Sequence, residues 1–220
     1  MIKVFIGFDK SESKAAYVLA HSIQNRSSIT TSISFLNRKT LRGIFTRKRS
    51  PLDSTDFSIS RFLVPYLCNY EGHAIFLDQD ILCQDDIARL WAWRDEFAIR
   101  VVKHDHRPVE EIKSQGKIQI KYGKKNWASV MLFNNAKCKA LTLDFVNTAP
   151  GLDLHQFKWL EEDQVSDLPK HWNHLVDYDK PDHLASMFHY TIGGPWLDKY
   201  SECTFSEVWS DEYNDMMKLK

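Results

Sequence analysis

The sequence lacks the features by which several classes of protein are recognised. Its four cysteines include no close pair, which argues against a zinc site or a redox motif and indicates reduced thiols: Cys68, Cys83, Cys138 and Cys203. With 29 basic and 29 acidic side chains the formal net charge is zero, so a generalised nucleic-acid or membrane binder is not expected. No apolar run is long enough to cross a bilayer, and the chain opens on a strand pattern instead of a signal peptide. These absences predict a cytoplasmic protein that has no transmembrane segment.

Internal repeats, low-complexity segments and convincing linkers are absent as well. The 220 residues, 43% of them hydrophobic, suffice for one domain of two or three packed layers. We therefore predict a single domain over residues 1–220. Nothing in the sequence indicates the oligomeric state.

Strand and helix patterns alternate along the chain. Short β-rich runs are predicted as strands at 2–8, 31–36, 73–77, near 97–102, near 128–133, near 172–176 and near 187–192. Helices are predicted after a capping pattern at Asp9, at 56–70, from 85 onwards, near 136–147 and near 160–166. Such alternation is typical of an α/β fold with a mainly parallel central sheet flanked by helices.

One stretch of the chain, residues 37–50, is strongly basic and contains no acid. Its cations are Arg38, Lys39, Arg42, Arg47, Lys48 and Arg49. This composition predicts a mobile or partner-facing loop. An acidic acceptor, a membrane surface and a protein partner are all compatible with it.

Two aspartates, Asp78 and Asp80, follow directly on the apolar run 73–77. In open α/β sheets, ligands bind at the carboxyl ends of the strands, which is where this pair is expected to lie. Two neighbouring carboxylates repel unless a cation lies between them, and Mg²⁺ and Mn²⁺ prefer such oxygen ligands. The pair also fits a plain solvated turn, because so short a motif arises often by chance.

A longer segment around this pair, residues 58–91, carries an ordered set of further signals. It has an arginine on a helix, a strand ending in D-x-D, an apolar pair and an acid-rich turn that closes on Leu-Trp. These pieces are Arg61, Asp78 and Asp80, Ile81 and Leu82, Asp85 and Asp86, and Leu90 and Trp91. The segment resembles the donor-binding core of the family 8 glycosyltransferases and their GT-A relatives. The resemblance implies a single GT-A, Rossmann-like domain.

Three other segments are similar to family 8 elements and appear in the same order. In the first strand and helix, Asp9 and Tyr17 occupy the places that flank the nucleotide base. The segment 160–165 is similar to the D-Q element beside the transferred sugar, which implies roles for Asp163 and Gln164. The segment 189–196 is similar to H-x-x-G-x-x-K-P-W, whose histidine is the third protein ligand of the metal; here that residue is His189.

The resemblance implies a metal-dependent transferase that moves a sugar from a nucleoside-diphosphate sugar, with a UDP-sugar expected, to a glycan or other hydroxyl acceptor with retention. Mn²⁺ or Mg²⁺ would be held by Asp78, Asp80 and His189. Catalytic roles are implied for Asp163, Gln164 and Arg61. Donor-binding roles are implied for Asp9, Tyr17, Arg61, Asp78, Gln79, Asp80, Gly194 and Trp196. No nucleic-acid partner is expected.

The chain also departs from the family pattern in two places. The segment 189–196 lacks the lysine that the family places against the diphosphate. The candidate replacements are Lys121, Lys124, Lys125 or the basic stretch 38–49. At the start of the strand predicted near 128–133, Trp127 and Ser129 stand where the family has the Asn and Gly of an N-x-G group.

Two alternative functions remain open from the sequence. A strand ending in D-x-D is also found in haloacid-dehalogenase-type phosphatases, where Asp78 and Asp80 would act with Mg²⁺ as nucleophile and acid/base. The departures from the family pattern also fit a non-catalytic module that binds a nucleotide sugar without turnover.

Overall fold

The computed structural model describes residues 1–50, 53–105 and 123–218. Lys121, one of the candidate cations, lies outside these ranges. Within them the strands are β1 (Ile2–Phe8), β2 (Thr31–Asn37), β3 (His73–Leu77), β4 (Ile81–Cys83), β5 (Ile99–Val101), β6 (Val130–Asn134), β7 (Val165–Asp167), β8 (His174–Leu175) and β9 (Met187–His189). The helices there are α1 (Ser13–Arg26), α2 (Val64–Leu67), α3 (Ile87–Trp91), α4 (Leu143–Thr148), α5 (Gly151–His155) and α6 (Ser206–Lys218).

The central sheet of the described ranges has the strand order β2-β1-β3-β6-β5-β7. Strand β1 pairs in parallel with both β2 and β3, and β5 pairs in parallel with β7. Strand β6 is antiparallel to both of its neighbours, β3 and β5. The α/β fold with a mainly parallel central sheet is therefore confirmed, with β6 as the exception.

Helix α1 illustrates how local sequence builds the core. The Asp9 carboxylate accepts a hydrogen bond from the Ser11 N–H and caps the short 3₁₀ turn before α1. Ala16, Leu19 and Ile23 then recur at helical spacing and are fully buried against the sheet. The strand-to-helix unit predicted at the start of the chain is thus confirmed.

Three predicted helices are wrong in part, and the one near 136–147 is α-helical only from Leu143, where α4 begins. The segment 160–166 forms only a 3₁₀ turn, Glu162–Gln164, before β7, because Val165 pairs with Ile99 and the sheet overrides the local helical pattern. The segment 56–70 forms a 3₁₀ turn and then α2, in which Pro65 lies in the first turn, where its missing N–H costs nothing.

A small second sheet, with the order β4-β9-β8, was not predicted as such. Its pairing of Ile81 with His189 brings distant parts of the chain together. In the described part of the chain, no helix combines the length and apolar character needed to cross a membrane. All four cysteines are free thiols.

Candidate active site

The candidate site lies where the carboxyl end of β3 meets the small sheet. Asp78 follows β3, and its backbone N–H donates to the Ser129 carbonyl at 2.9 Å, just before β6. Asp80 precedes β4, and its carbonyl accepts from the Tyr190 N–H at 2.9 Å, just after β9. Because β4 pairs with β9, His189 is brought beside Asp80 although 109 positions separate them.

The side chains of Asp78, Asp80 and His189 form one cluster, in which one ligand atom from each lies within 4.8 Å of the others. Asp78 and His189 are buried and Asp80 is half-buried. The His189 Nε2 lies 3.5 Å from the Asp80 Oδ1. Sequence analysis named these three residues, and the structure brings them together.

The donor set of this cluster fits a divalent cation. Two carboxylates offer hard oxygen atoms and the imidazole adds one nitrogen, a combination that Mn²⁺ and Mg²⁺ accept. Burial raises the pKa of Asp78, and the neighbouring charge of Asp80 raises it further, while Arg61 and His189 act in the opposite direction. A cation among the three groups would remove this cost of keeping both carboxylates ionised.

Arg61 is built into the same end of the sheet. Its Nη1 lies 2.8 Å from the Asp78 Oδ1 and also donates to the Ala128 carbonyl at 2.7 Å, while its Nε donates to the Ser58 carbonyl at 3.0 Å. Only 5% of Arg61 is exposed. The ion-pair partner of Arg61 is therefore Asp78, whereas the nearby acid Asp56 pairs with Arg49. Arg61 has a structural role in addition to any contact with a ligand.

A cavity of about 520 Å³ opens beside this cluster, a size that suits a small-molecule site. Arg61, Asp78, Lys125, Asn126, His155 and Thr191 are among its lining residues. Sequence analysis missed Asn126, His155 and Thr191. Thr191 lies within the segment 189–196, whose family pattern marks other positions, and no motif marks Asn126 or His155.

The cavity contains two of the cations that could replace the diphosphate-binding lysine missing from segment 189–196. Lys125 and Arg47, both among the sequence candidates, line it. Lys124 instead lies over the Trp127 ring and 4.0 Å from the Glu162 carboxylate. Within the basic stretch, Arg47 donates to the carbonyls of Val146 and Ala149, so this part of the predicted loop is anchored to α4.

His155 gives the cavity a predicted pH signature. Burial of its ring lowers its pKa well below the ordinary value, and the charges of Arg61 and Lys125 act in the same direction. In the unfolded chain the pKa of this histidine is about 6.5, whereas folded His155 takes up its proton only at lower pH. The free energy of unfolding should therefore fall as the pH drops below about 6.5, by up to about 1.4 kcal/mol per pH unit for this group.

Urea denaturation from pH 7.5 to 5.0 would measure this loss, and His155→Gln should make it shallower because glutamine stays neutral in both states. His174, whose pKa is also lowered by burial, contributes in the same direction and should account for part of the remaining slope. An unchanged slope in His155→Gln would contradict the assignment.

Asp9 and Gln79, two of the residues expected to bind the donor, lie together and serve the backbone. The Asp9 N–H donates to the Gln79 Oε1 at 2.7 Å, and the Asp9 carboxylate accepts from the N–H groups of Ser11 and Asp56. Both residues are buried. Their role in binding a nucleotide stays a prediction.

Tyr17 is 47% exposed and packs edge-on against Phe35. It therefore leaves part of its ring accessible at the surface. Trp196 packs against Tyr190 and Trp209, and its Nε1 donates to the Glu12 carboxylate at 3.0 Å. Gly194 lies directly under the Trp196 ring, where any side chain would clash. These contacts give Gly194 and Trp196 a packing role, and their donor-binding role stays a prediction.

Asp163 and Gln164 are not brought to the cluster. They precede β7, whose first residue pairs with Ile99, and the Gln164 carbonyl accepts from the Ala98 N–H at 3.1 Å. The strand registers place this position at the end of the central sheet opposite to Asp78. Neither residue lines the cavity. Their catalytic role stays a prediction.

Searches for relatives found no matching family model. Protein CDI of Arabidopsis thaliana is 39% identical over 226 residues, which cover 98% of this chain and 87% of that protein.

Solved structures with the same fold include the bifunctional glycosyltransferase WbbM, with a TM-score of 0.66 and 13% identity. They also include glycosyltransferase GlyE of Streptococcus pneumoniae TIGR4, with a TM-score of 0.65 and 16% identity. The alignments cover 99% of this chain, which spans 51% of WbbM and 63% of GlyE.

Galactosyltransferase LgtC, solved with donor and acceptor sugar analogs, has a TM-score of 0.60 and 12% identity over 97% of this chain and 96% of its own. These likenesses give no support to the phosphatase alternative, while membership of family 8 itself stays a prediction. The chain belongs to the same family as Protein CDI of Arabidopsis thaliana, and its fold is that of the GT-A glycosyltransferases.

Proposed function

We propose that this chain is a metal-dependent glycosyltransferase that moves a sugar from a nucleoside-diphosphate sugar, most simply a UDP-sugar, to a hydroxyl group of a glycan or another acceptor. One observation carries the proposal. The cluster of Asp78, Asp80 and His189 lies beside a cavity of about 520 Å³ at the carboxyl end of β3 in a GT-A fold.

The cluster would hold Mn²⁺ or Mg²⁺ through the two carboxylates and the His189 Nε2. Such an ion, when bound, supplies positive charge for the diphosphate that departs as the bond to the anomeric carbon breaks. The other groups act through their own charges and contacts. Arg61 pairs with Asp78 at 2.8 Å and thereby favours its ionised, metal-binding form.

The cations of the cavity provide a route to binding the diphosphate without the family's lysine. Lys125 and Arg47 both line the cavity beside Asp78. A lysine ammonium and an arginine guanidinium each bind phosphate oxygens well. We therefore assign the missing positive charge to Lys125, with Arg47 as the second candidate.

Retention of configuration and a cytoplasmic location are parts of the same proposal and rest on the sequence alone. The anomeric configuration of the product is read directly from the proton NMR coupling constant of the new linkage.

Asp163 and Gln164 are left out of the proposed mechanism because of their place at the opposite end of the sheet.

Isothermal titration of the purified chain with UDP-, GDP- and ADP-sugars, each with and without Mn²⁺, tests the donor. We expect one nucleotide class to bind only when Mn²⁺ is present, because the diphosphate and the cluster would share the ion. Replacing Lys125 by Met should weaken that binding by about 10-fold or more, which matches the loss of a charge-assisted hydrogen bond of about 1.5–3 kcal/mol. Arg42→Met, an exposed change in the same basic stretch as Arg47, is the control.

Other outcomes of the panel identify the alternatives. Donor binding without any transfer or slow donor hydrolysis, across the whole panel of donors, would support a non-catalytic binding module. No binding by a folded protein, together with hydrolysis of simple phosphate monoesters, would overturn the transferase proposal in favour of a phosphatase.

A further inference from the structure

Asn173 is a buried residue directly behind the metal cluster. It ends the 3₁₀ turn Lys170–Asn173 just before β8, and its exposure is 0%. Its side-chain amide contacts the imidazole of His189: the Asn173 Oδ1 lies 2.9 Å from the His189 Nδ1. Sequence analysis gave this asparagine no role.

A second hydrogen bond fixes the orientation of that amide. The Asn173 Nδ2 donates to the backbone carbonyl of Asn126 at 3.2 Å. A carbonyl only accepts, so the NH₂ group must face Asn126 and the oxygen must face His189. Asn126 is itself held in a left-handed conformation, with a φ of 63°, a region that asparagine adopts more readily than most residues.

The orientation of the amide decides which ring nitrogen of His189 carries the proton. Because the Asn173 Oδ1 only accepts, the Nδ1 must be the N–H donor. In the neutral imidazole the lone pair is then on the Nε2, which lies 3.5 Å from the Asp80 Oδ1. A lone pair and a carboxylate at this separation favour a cation between them.

We propose that Asn173 is a positioning residue that holds His189 in the tautomer whose Nε2 lone pair faces Asp78 and Asp80. The inference rests on the proposed metal site, which it deepens. Without an acceptor behind the Nδ1, the ring can place its proton on the Nε2 and donate it to Asp80. That hydrogen bond would occupy both the His189 Nε2 and the Asp80 Oδ1, so neither atom could bind the metal.

The test is the Mn²⁺ affinity of the metal-free protein, measured from the EPR signal of free Mn²⁺ with no nucleotide present. Asn173→Leu keeps the volume of the side chain but removes the acceptor. We expect it to lower the Mn²⁺ affinity about 10- to 100-fold, the loss that follows removal of such a partner of a metal-binding histidine. Asn173→Asp keeps an acceptor and should retain the wild-type affinity within a few-fold.

Stability distinguishes positioning from a merely structural role. The Asp variant buries a carboxylate against the Asn126 carbonyl, so we expect a lower urea midpoint for it than for the Leu variant. If Asn173 were merely structural, the less stable Asp variant would also bind Mn²⁺ more weakly than the Leu variant. Positioning predicts the opposite, with tighter Mn²⁺ binding by the Asp variant. Asn135→Leu is the matched control, because Asn135 is also 0% exposed and donates to a carbonyl, that of Glu71, at the other end of the sheet.

Each result has a defined meaning. A folded Asn173→Leu protein that binds Mn²⁺ as tightly as the wild type overturns the role of Asn173 and leaves the metal site intact. A wild-type protein whose Mn²⁺ binding is absent, or is unchanged by Asp80→Asn, overturns the metal site and this inference with it. Loss of affinity in Asn173→Leu together with retention in Asn173→Asp and Asn135→Leu supports the inference.

Discussion

Asp80→Asn is expected to lower Mn²⁺ affinity by about 100-fold or more and sugar transfer by about 10²–10³-fold, which is the range for losing one electrostatic contact to a developing charge. The reason lies in the cluster. Asp80 contributes one of two carboxylates whose ligand atoms lie within 4.8 Å of each other and of His189. The change keeps the shape of the side chain and removes its charge.

The same substitution should leave the metal-free protein as stable as the wild type or more so. Asp80 raises the pKa of the buried Asp78 carboxyl, so its removal relieves a repulsion between two like charges. Metal affinity and stability are then expected to change in opposite directions. Urea denaturation of metal-free protein gives the stability, and Mn²⁺ titration gives the affinity.

Asp167→Asn is the matched control for this prediction. Its side chain is 72% exposed and pairs with Lys103 at the surface, an arrangement that contributes little to stability. We expect it to leave both Mn²⁺ affinity and transfer unchanged. Wild-type Mn²⁺ affinity in Asp80→Asn would remove Asp80 from the metal site.

The second large effect is expected for Arg61→Met. Arg61 and Asp78 form a pair in which both side chains are buried, with exposures of 6% and 12%. Removing one partner of such a pair typically costs about 3–5 kcal/mol, because the other charge is left buried. The Ser58 and Ala128 carbonyls also lose their donor. Transfer should fall as well, because the Asp78 carboxylate becomes harder to keep ionised.

A double variant separates the two consequences. In Arg61→Met combined with Asp78→Asn, the unpaired buried charge is gone, so part of the lost stability should return, while transfer should fall further because a metal-binding carboxylate is missing. A double-mutant cycle of urea midpoints measures this coupling. Full additivity of the two single changes would show that Arg61 and Asp78 do not act as a pair.

Arg49→Met provides the comparison for an exposed ion pair. Arg49 pairs with Asp56 at 3.2 Å and its side chain is 46% exposed, so we expect a loss of at most about 1 kcal/mol. The family resemblance, which gives Arg61 a donor-binding role, predicts that its loss impairs donor use more than folding. Because Arg61 is buried and paired with Asp78, we expect its loss to lower both sugar transfer and the free energy of unfolding strongly.

Much of the architecture was predictable because its signals are local. The apolar run 73–77 and the two aspartates that end it are contiguous, and they form β3 and the edge of the site. Cap residues act over only a few positions: Asp9 caps the turn before α1, and Asp86 caps α3 by accepting from the Ala88 N–H. Such features depend little on the rest of the fold.

The partly wrong helix prediction at 160–166 arose where long-range pairing decides the outcome, whereas the catalytic role of Asp163 and Gln164 stays a prediction. The segment 160–166 has helical local character, yet Val165 pairs with Ile99 and continues as a strand. That pairing also places Asp163 and Gln164 at the far end of the sheet. The D-Q motif was visible in the sequence, but the end of the sheet at which it lies depends on strand register, which short motifs do not encode.

By itself the sequence determined the alternation of strands and helices, the capped start of α1 and the position of two carboxylates at a strand end. Each follows from the periodicity and chemistry of neighbouring residues. The residues by themselves did not place His189 beside those carboxylates; a family resemblance implied it, and the pairing of β4 with β9 brings it about. Only the tertiary structure decided that Asn173 lies behind His189, because that depends on the pairing of β8 with β9. Which hydrogen bonds a buried imidazole makes is fixed by residues that are remote in the chain and adjacent only after folding.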